Sequence, residues 1–356
     1  MKGLVLSGGH GTRLRPLTYT SAKQLIPVAN KPVLFYAIED LRECGITDIN
    51  IIVATHSKDE VMAAVGDGSQ FNIKVNYIEQ KKPGGLAHAV KIAKDYLKND
   101  PFVMYLGDNI LKEGIKNLYD AFKFSESAAL IAVTRVKNPQ RFGVVEIENG
   151  KVVRLVEKPK VPKSDLALAG IYFFRSTIFE AIELIKPSSR NELEITDAIQ
   201  KLVDMGYEVD YKEVTGWWKD TGKPEDILEV NQLLLKEMKK DIRGKIEDNV
   251  SINGEVIIGE NTIVKAGSKL LGPIIIGRNC EIGPGTYIGP YTSIGDNCRI
   301  VGGEIENSIV IGESHIECDR RIVESLIGRN STITSVNKCL PGGNKLILGE
   351  HSIISI

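Results

Sequence analysis

Apolar and polar residues follow two rhythms in the first 243 residues. Short β-branched runs such as KGLVLS, INIIVAT and FVMYLGD are typical of buried strands, and amphipathic stretches near 32 to 44, 58 to 65 and 86 to 97 are typical of helices. Alternating strands and helices predict an open, mostly parallel α/β sheet. Asn149-Gly150 predicts a two-residue hairpin turn, and further helices are expected near 194 to 206 and 223 to 240.

A different pattern begins at residue 258, where an aliphatic residue recurs at every sixth position. The series is Ile258, Val264, Leu270, Ile276, Ile282, Ile288, Ile294 and Ile300, and small residues follow four places after most members. Such hexapeptide repeats predict a parallel β-helix with 18 residues per coil. The interval from Cys280 to Cys298 is one coil, so their side chains should stack as part of a packing ladder. After residue 300 we expect irregular coils, with the inward phase shifted by one to Ile305 and Ile311 and resuming near Ile327 and Ile333.

Composition changes where the pattern changes. Of 34 glycines, 17 lie in residues 244 to 356, and this segment also holds 23 isoleucines but only Tyr287 and Tyr291 among the aromatic residues. A core of stacked β-branched side chains fits this composition better than a helical core does. We therefore predict two domains, 1–240 and 241–356, joined by a charged stretch from Lys236 to Asp248.

Charge and cysteine usage exclude several classes of function. The 45 Lys and Arg residues nearly balance the 46 Asp and Glu residues, and no basic block is present, which argues against a nucleic-acid partner. No apolar run reaches the length of a membrane span and the N-terminus lacks the features of a signal peptide, so we expect a cytoplasmic protein with no membrane partner. Five cysteines without a C-x-x-C pair are expected to be free thiols.

The first candidate for chemistry follows the first strand. KGLVLS runs into Gly8-Gly9-His10-Gly11-Thr12-Arg13, a glycine-rich turn whose backbone N–H groups can approach phosphate oxygens. Leu14 stands where a dinucleotide fingerprint needs its third glycine, and the Gly-Lys-Ser/Thr ending of a P-loop is missing. The turn therefore predicts phosphate binding of another kind.

The residues around this turn resemble a known family. G-G-x-G-T-R-L-x-P is followed by K-Q-L-I-P-V and then by Asn30-Lys31-Pro32. This arrangement resembles the motif of sugar nucleotidyltransferases, and the whole chain is similar to the long form of glucose-1-phosphate thymidylyltransferases. The resemblance implies a Rossmann-like nucleotidyltransferase domain followed by a left-handed β-helix, and a homo-oligomer. It also implies transfer of a thymidylyl group from dTTP to glucose 1-phosphate, giving dTDP-glucose and pyrophosphate, in nucleotide-sugar biosynthesis such as the dTDP-rhamnose pathway.

This reaction needs positive charge and alignment more than proton transfer. A phosphate oxygen of the sugar phosphate is already an anion, so it can attack the α-phosphorus in line without a general base. We assign charge stabilisation to Arg13 and Lys23. The resemblance implies that Asp108 and Asp220 hold Mg²⁺, whose preferred ligands are such hard oxygens. These four residues form the predicted catalytic set.

The resemblance also implies two sets of binding residues. A glutamine amide can pair with the imide edge of thymine or uracil, which suits Gln24 and Gln80, and Gly85 is expected to let the base approach the backbone. The predicted nucleotide-binding residues are Leu6, Gly8, Gly9, Gly11, Thr12, Arg13, Gln24, Gln80 and Gly85. The predicted sugar-phosphate-binding residues are Asn109, Gly143, Glu157, Lys158, Leu168 and Arg190. Tyr172 is expected in the core.

Three alternatives stay open at this point. The donor could be UTP, because uracil and thymine share their imide edge. The β-helix could add acyltransferase activity, with His315 or His351 as general base, although His315 falls at a position that is small elsewhere in the repeat. The chain could also be a silent regulatory subunit, a hypothesis weakened by the presence of Arg13, Lys23 and both aspartates.

Overall fold

The computed structural model describes residues 1–335, and every structural statement below refers to these residues. Cys339, His351 and the rest of the last segment lie outside them. The chain forms two compact units. The first contains Met1–His10, Ser21–Leu25 and Val33–Asp220, and the second contains Gly11–Thr20, Ile26–Pro32 and the chain from Thr221 onward. The domain boundary at residue 240 stays a prediction, since composition and spatial contacts divide the chain by different criteria.

Strands and helices alternate through the first 220 residues. The elements are β1 (Lys2–Ser7), β2 (Pro27–Val28), β3 (Lys31–Pro32), α1 (Val33–Glu43), β4 (Asp48–Ala54), α2 (Lys58–Val65), β5 (Lys74–Gln80), α3 (Leu86–Ile92), α4 (Lys94–Leu97), β6 (Phe102–Leu106), β7 (Asn109–Leu111), α5 (Lys116–Phe124), β8 (Ala129–Arg135), β9 (Gly143–Glu148), β10 (Lys151–Glu157), β11 (Leu166–Phe174), α6 (Thr177–Leu184), α7 (Ile195–Asp204), β12 (Val209–Glu213) and β13 (Trp218–Asp220).

The main sheet has the order β10-β9-β11-β6-β1-β4-β5, with β8 beside β11 and β12 beside β8. Strands β6, β1, β4 and β5 are parallel, whereas β9, β10 and β11 pair antiparallel with their neighbours. Alternate residues of β1 enter different cores: Leu4 and Leu6 pack with α3, α6 and α7, and Val5 packs with α1, α2 and α5. The predicted α/β fold with a Rossmann-like parallel sheet is confirmed, with antiparallel strands added on one side.

The structure confirms one local prediction and refines two others. The Asn149-Gly150 turn joins β9 to β10, and both residues have positive φ angles, 50° and 76°, as such a tight hairpin requires. The helix expected over 86 to 97 is instead two helices, α3 and α4, because the amide of Ala93 bonds to the carbonyl of Val90 three residues earlier. The helix expected to reach residue 240 ends at Leu235.

The second unit is built on parallel strands stacked in coils. Its further elements are α8 (Pro224–Leu235), β14 (Asp241–Ile242), β15 (Lys245–Ile246), β16 (Ser251–Asn253), β17 (Val256–Ile258), β18 (Ile263–Val264), β19 (Lys269–Leu271), β20 (Ile274–Ile276), β21 (Glu281–Ile282), β22 (Tyr287–Ile288), β23 (Thr292–Ile294), β24 (Arg299–Val301), β25 (Glu304–Glu306), β26 (Ile309–Val310), β27 (His315–Glu317), β28 (Arg321–Val323), β29 (Leu326–Ile327) and β30 (Thr332–Thr334).

Every third strand of β14 to β30 joins the same sheet, so three parallel sheets form the sides of the coil. This is consistent with the predicted left-handed β-helix. All eight aliphatic residues of the hexapeptide series are buried, and so are the small residues that follow them. Cys280 and Cys298 stack on adjacent coils, with the amide of Cys298 3.4 Å from Sγ of Cys280. Cys44, Cys280, Cys298 and Cys318 are free thiols, as predicted.

The irregular coils after residue 300 differ from the prediction in two places. Ile305 is inward as expected, but the next inward residue is Val310, and Ile311 is only half-buried. The register explains this, because Ile294 pairs with Val310 after 16 residues instead of 18. Likewise Ser314 takes the small inward position, so the placement of His315 there was wrong. His315 faces outward, with Nε2 3.4 Å from Oε2 of Glu317.

One side of the β-helix carries an apolar outward row. Paired residues on β17, β20, β23, β26 and β29 are Ile257, Ile275, Ser293, Ile309 and Leu326. Helix α8 packs against β23 and against the short hairpin of β2 and β3. The single polar member of the row, Ser293, is fully buried and donates a 2.7 Å hydrogen bond to Oδ1 of Asn231 on α8.

Asn231 joins three parts of the second unit. Its Oδ1 also accepts from the backbone N–H of Ala29 in the hairpin, at 2.8 Å, and its Nδ2 donates to the carbonyl of Tyr291, at 2.9 Å. Asn30 adds a 2.6 Å bond to the carbonyl of Ile294. Among apolar neighbours these directional bonds fix the register of helix, hairpin and coil. Along the chain, this hairpin directly follows Lys23 and Gln24.

Replacing Asn231 by leucine should therefore destabilise the protein strongly. The change leaves a buried N–H, a hydroxyl and a carbonyl without partners, and each such group costs about 1–3 kcal/mol. We expect the free energy of unfolding, measured by urea denaturation, to fall by about 3 kcal/mol or more.

The matched control is Gln232→Ala, which removes the neighbouring 2.8 Å bond from α8 to Asn307 without touching the hairpin. We expect this control to cost about 1 kcal/mol or less, because its partners are less buried. Equal losses for both variants would contradict the importance given to Asn231.

Candidate active site

The carboxyl ends of the parallel strands meet at one edge of the main sheet. Strand β1 pairs with β4 and β6 so that Ser7 lies beside Val53 and Leu6 beside Leu106, and Gln80 ends β5 beside Ala54. The segments that follow these strands therefore emerge together, which is where open α/β sheets bind ligands. The predicted residues of the first unit gather along this edge and on the neighbouring strands.

Two glutamine amides stand over the glycine turn after β1. A Cβ atom on Gly8 would lie 3.3 Å from Oε1 of Gln80, and one on Gly9 would lie 3.5 Å from Nε2 of Gln24. Gln24 is only 2% exposed, and within the described part of the chain its Oε1 has no hydrogen-bond partner. Leu6 itself is a core residue of β1 whose carbonyl accepts a bond from Gly107. The structure thus brings Gly8, Gly9, Gln24 and Gln80 together, as expected.

A cavity of about 270 Å³ opens beside this turn, lined by Gly8, His10, Ala54, Thr55, His56, Gln80, Lys81 and Pro83. The rings of His10 and His56 meet edge to face with centroids 4.5 Å apart. Burial and the neighbouring His10 lower the pKa of His56. Sequence reasoning missed His56, although its place directly after the carboxyl end of β4 was a usable signal.

Gly85 has a structural role beside the binding role predicted for it, and the predicted role stays a prediction. Its φ angle is 92°, and a Cβ there would lie 2.4 Å from the carbonyl oxygen of Leu193. The direction in which a side chain at position 85 would point is therefore occupied by the backbone of Leu193. The amide of Ala87 also bonds to the Leu193 carbonyl, at 3.0 Å. Glycine at position 85 is required by the approach of Leu193.

The candidate charge centre combines Lys23 with both predicted metal ligands. The Lys23 side chain is 8% exposed, and its ammonium forms an ion pair with Oδ2 of Asp108 and lies 3.8 Å from Oδ1 of Asp220. The antiparallel pair β7 and β13 sets Asp220 directly opposite Asn109. Three residues separated by up to 197 positions therefore meet at one point.

Asp108 is held by a chain of hydrogen bonds. Its Oδ1 accepts from Nδ2 of Asn109 at 2.8 Å, and Oδ1 of Asn109 accepts from the indole N–H of Trp218 at 2.8 Å. Burial alone would raise the pKa of the Asp108 carboxyl, but the charge of Lys23 and hydrogen bonds from Lys23 and Asn109 hold it below the usual value. Asn109, predicted to bind the sugar phosphate, thus engages both ends of its amide in orienting Asp108.

Two aspartates are a suitable donor set for Mg²⁺, which is commonly bound by one or two carboxylates with substrate phosphates and water completing the shell. No cluster of three or more His, Cys, Asp or Glu side chains that could hold a metal is found within residues 1–335. Asp108 and Asp220 are therefore compatible with a magnesium ion that takes its remaining ligands from outside the chain.

The phosphate-turn residues Gly11, Thr12 and Arg13 belong to the second unit. Gly11 has a φ of 61°, and its carbonyl accepts a 2.7 Å bond from the hydroxyl of Thr18. Arg13 is exposed. Its grouping with Lys23 stays a prediction.

The predicted sugar-phosphate residues form a second cluster. A Cβ on Gly143 would lie 2.7 Å from Cδ1 of Leu168 and 3.2 Å from Oε2 of Glu157. Arg190 and Lys158 reach the other oxygen of Glu157, at 3.1 and 3.4 Å. These five residues come together beside a cavity of about 580 Å³. Asn109, the sixth residue predicted to bind the sugar phosphate, contacts Asp108 instead.

Arg190 has a stronger partner that sequence reasoning missed. Its guanidinium makes two bonds to Glu194, at 3.2 and 2.7 Å, and Glu194 is buried at the start of α7. Burial disfavours the charge, but Glu194 and the other nearby carboxylates raise the pKa of Arg190. Burial and the charge of Glu194 also raise the pKa of Asp197 in the same cavity. The acidic run around Leu193 was the signal for these two carboxylates.

Asn191, next to Arg190, has a φ of 60°, a left-handed conformation that asparagine tolerates well. Tyr172 is buried in the main core, as predicted. None of the helices within residues 1–335 has the length and apolar character needed to cross a membrane.

Comparisons with known proteins identify the family to which the chain belongs. Residues 2–237 match the family model described as nucleotidyl transferase, and residues 270–355 match the one described as GMPPB C-terminal domain. A glucose-1-phosphate thymidylyltransferase of Streptomyces antibioticus is 51% identical, over all of this chain and 99% of that protein. The low-salt glycan biosynthesis nucleotidyltransferase of Haloferax volcanii is 49% identical over the full length of both chains.

A solved structure is similar to about two thirds of the chain. It is described as a putative glucose-1-phosphate thymidylyltransferase from Bacillus anthracis in complex with a sucrose. The match has a TM-score of 0.63 and 38% identity, and it covers 68% of this chain and 97% of that one. Motif, fold and full-length similarity lead to the same conclusion: the chain belongs to the nucleotidyl transferase family and is an enzyme, a nucleotidyltransferase.

Proposed function

We propose that the enzyme transfers a thymidylyl group from dTTP to glucose 1-phosphate, giving dTDP-glucose and pyrophosphate. The observation that carries this proposal is the pair of glutamine amides, Gln24 and Gln80, over the glycine turn, in a chain about half identical to a thymidylyltransferase over its full length. A glutamine amide has a donor and an acceptor, so two of them can together complement the imide edge of a pyrimidine even where one presents only its oxygen. UTP is the second candidate donor, because uracil presents the same edge.

The chemistry follows from the charges at the sheet edge. The sugar phosphate is already an anion and attacks the α-phosphorus in line, so pyrophosphate leaves without a general base. The ammonium of Lys23, buried beside Asp108, is proposed to compensate phosphate charge, and so is Arg13 on the glycine turn. Mg²⁺ held by Asp108 and Asp220 would supply further charge to the phosphates when bound.

The sugar phosphate is assigned to the second cluster. Glu157 can accept hydrogen bonds from sugar hydroxyls, and Lys158 and Arg190 can contact the phosphate. Glu157 and Glu194 hold the Arg190 guanidinium by hydrogen bonds in the absence of substrate. Its orientation is therefore set before a phosphate binds.

The nucleotide assignment is tested by pyrophosphate release from glucose 1-phosphate with dTTP, UTP, ATP and GTP. We expect dTTP and UTP to support turnover at least about 100-fold better than ATP, because hydrogen-bond complementarity to a base edge discriminates strongly. A clear preference for ATP or GTP would refute the assignment of Gln24 and Gln80.

The metal assignment is tested by Asp108→Asn. Loss of the carboxylate charge should reduce pyrophosphate release by about 100-fold or more, a size typical of removing one electrostatic contact to a transition state. Chelation by EDTA should abolish turnover of the wild-type enzyme, and added Mg²⁺ should restore it. Asp120→Asn is the matched control, since Asp120 pairs with Lys116 on the exposed face of α5. Turnover that survives EDTA would overturn the metal assignment.

The bond from Trp218 to Asn109 should matter for turnover as well. Trp218→Phe keeps the ring but removes the indole N–H that fixes Asn109, and through it Asp108. We expect kcat to fall about 2- to 10-fold, as for loss of one hydrogen bond. Trp217→Phe is the control, since no hydrogen bond of its indole is found within residues 1–335. An equal effect of both changes would show that the Trp218 N–H has no special role.

A further inference from the structure

The side-chain amide of Gln80 is fixed by two neighbours. Its Nε2 lies 3.2 Å from the carbonyl oxygen of Gly85 and 2.9 Å from Nδ1 of His88. A backbone carbonyl can only accept, so the amide nitrogen, not the amide oxygen, must face Gly85. This contact settles which end of the Gln80 amide is which, because the reversed amide would set two acceptors against each other.

The orientation of the Gln80 amide in turn defines the protonation state and tautomer of His88. Both N–H bonds of the Gln80 amide are donated, one to Gly85 and one to His88, so Nδ1 of His88 must accept. The imidazole is therefore neutral and carries its proton on Nε2. Burial and the neighbouring charge of Lys91 lower the pKa of His88, which favours the same neutral form.

The position of His88 is itself constrained by the chain. It lies on the first turn of α3, and a Cβ on Gly84 would come within 2.7 Å of its ring carbon Cγ. The absence of a side chain at position 84 leaves room for the ring against the backbone. The loop from Gln80 to Gly85 and the start of α3 thus form one rigid unit around the glutamine amide.

With Nε2 engaged on both sides, the atom of Gln80 that remains available is the carbonyl oxygen Oε1. It lies 3.3 Å from the Cβ position of Gly8 and borders the 270 Å³ cavity at the glycine turn. Within residues 1–335 no hydrogen bond to Oε1 is found. Gln80 therefore presents an acceptor, and no donor, to whatever occupies the cavity.

We propose that His88 is a positioning residue for base selection: it holds the Gln80 amide so that Oε1 accepts a hydrogen bond from the ring N–H of thymine or uracil. This inference rests on the proposed function and adds the residue that sets its specificity. Cytosine has an unprotonated acceptor at the same ring position, so it would face Oε1 with a lone pair and be rejected. Without His88, a single bond to Gly85 would restrain the amide.

The first experiment compares His88→Leu with His88→Asn, using pyrophosphate release from dTTP and dCTP. Leucine removes the acceptor, and we expect KM for dTTP to rise about fivefold with kcat little changed, and the preference for dTTP over dCTP to fall about tenfold. Asparagine can accept through its own carbonyl oxygen and should restore both values. The control is Glu183→Gln on α6, which removes the ion pair of Lys91, a residue on the same helix as His88. It should leave the preference for dTTP over dCTP unchanged.

The second experiment is a double-mutant cycle with Gln80→Ala. If His88 acts through Gln80, His88→Leu should change neither KM nor base preference further in the Gln80→Ala background. Equal effects in both backgrounds, or an unchanged preference in His88→Leu, would overturn the proposal.

The third measurement does not depend on turnover or on a destabilised variant. Long-range 1H–15N NMR spectra of the wild-type protein report which ring nitrogen carries the proton, and the spectrum of His88→Asn assigns the signal. We expect the Nε2–H form; an Nδ1–H form would overturn the proposal. A wild-type enzyme that uses neither dTTP nor UTP would instead refute the proposed function, and the NMR result would still report on the contact between His88 and Gln80.

Discussion

A lysine ammonium held beside two carboxylates is the interaction on which the candidate site depends. Lys23 is almost fully buried, so its charge is tolerated only because Asp108 and Asp220 compensate it. The carboxylates in turn need the antiparallel pairing of β7 and β13, which sets Asp220 opposite Asn109. Lys23 carries one positive charge beside two negative ones, so removing Lys23 would leave two carboxylates without its compensating charge, whereas removing one aspartate would leave Lys23 paired with the other. Lys23, Asp108 and Asp220 together present a basic group and two acidic groups to a ligand that would bring both phosphate and metal.

Rigid neighbours recur around each group assigned a role. Asn109 orients Asp108, Glu194 orients Arg190, and His88 orients Gln80. In each case a buried or half-buried polar side chain uses its hydrogen bonds to hold the neighbouring side chain in one orientation. Such pre-organisation lowers the entropy lost when substrates bind, and it places dipoles where charge develops. These supporting residues are as much part of the proposed reaction as the groups that touch substrate.

The second unit shows how one polar contact sets register on an apolar surface. The outward row of isoleucines would accept α8 in several positions, because apolar contacts are not directional. Asn231 and Ser293 remove that freedom, and the same Asn231 holds Ala29 in the hairpin that follows Lys23 along the chain. The β-helix thus serves the fold as a scaffold, and the outward position of His315 beside Glu317 gives no support to an acyltransferase site.

The sequence by itself determined the parts that depend on local spacing. Strand and helix alternation, the Asn149-Gly150 hairpin, the regular coils of the β-helix and the stacking of Cys280 on Cys298 all follow from periodicity, since a fixed repeat specifies which side chains face inward. Tertiary structure alone decided the rest. The shortened coil that makes Val310 inward, the backbone of Leu193 against Gly85, and the bonds of Trp218 to Asn109 and of Arg190 to Glu157 arise from residues far apart in the chain. Long-range contacts of this kind are set by packing and hydrogen-bond satisfaction, which no local pattern encodes.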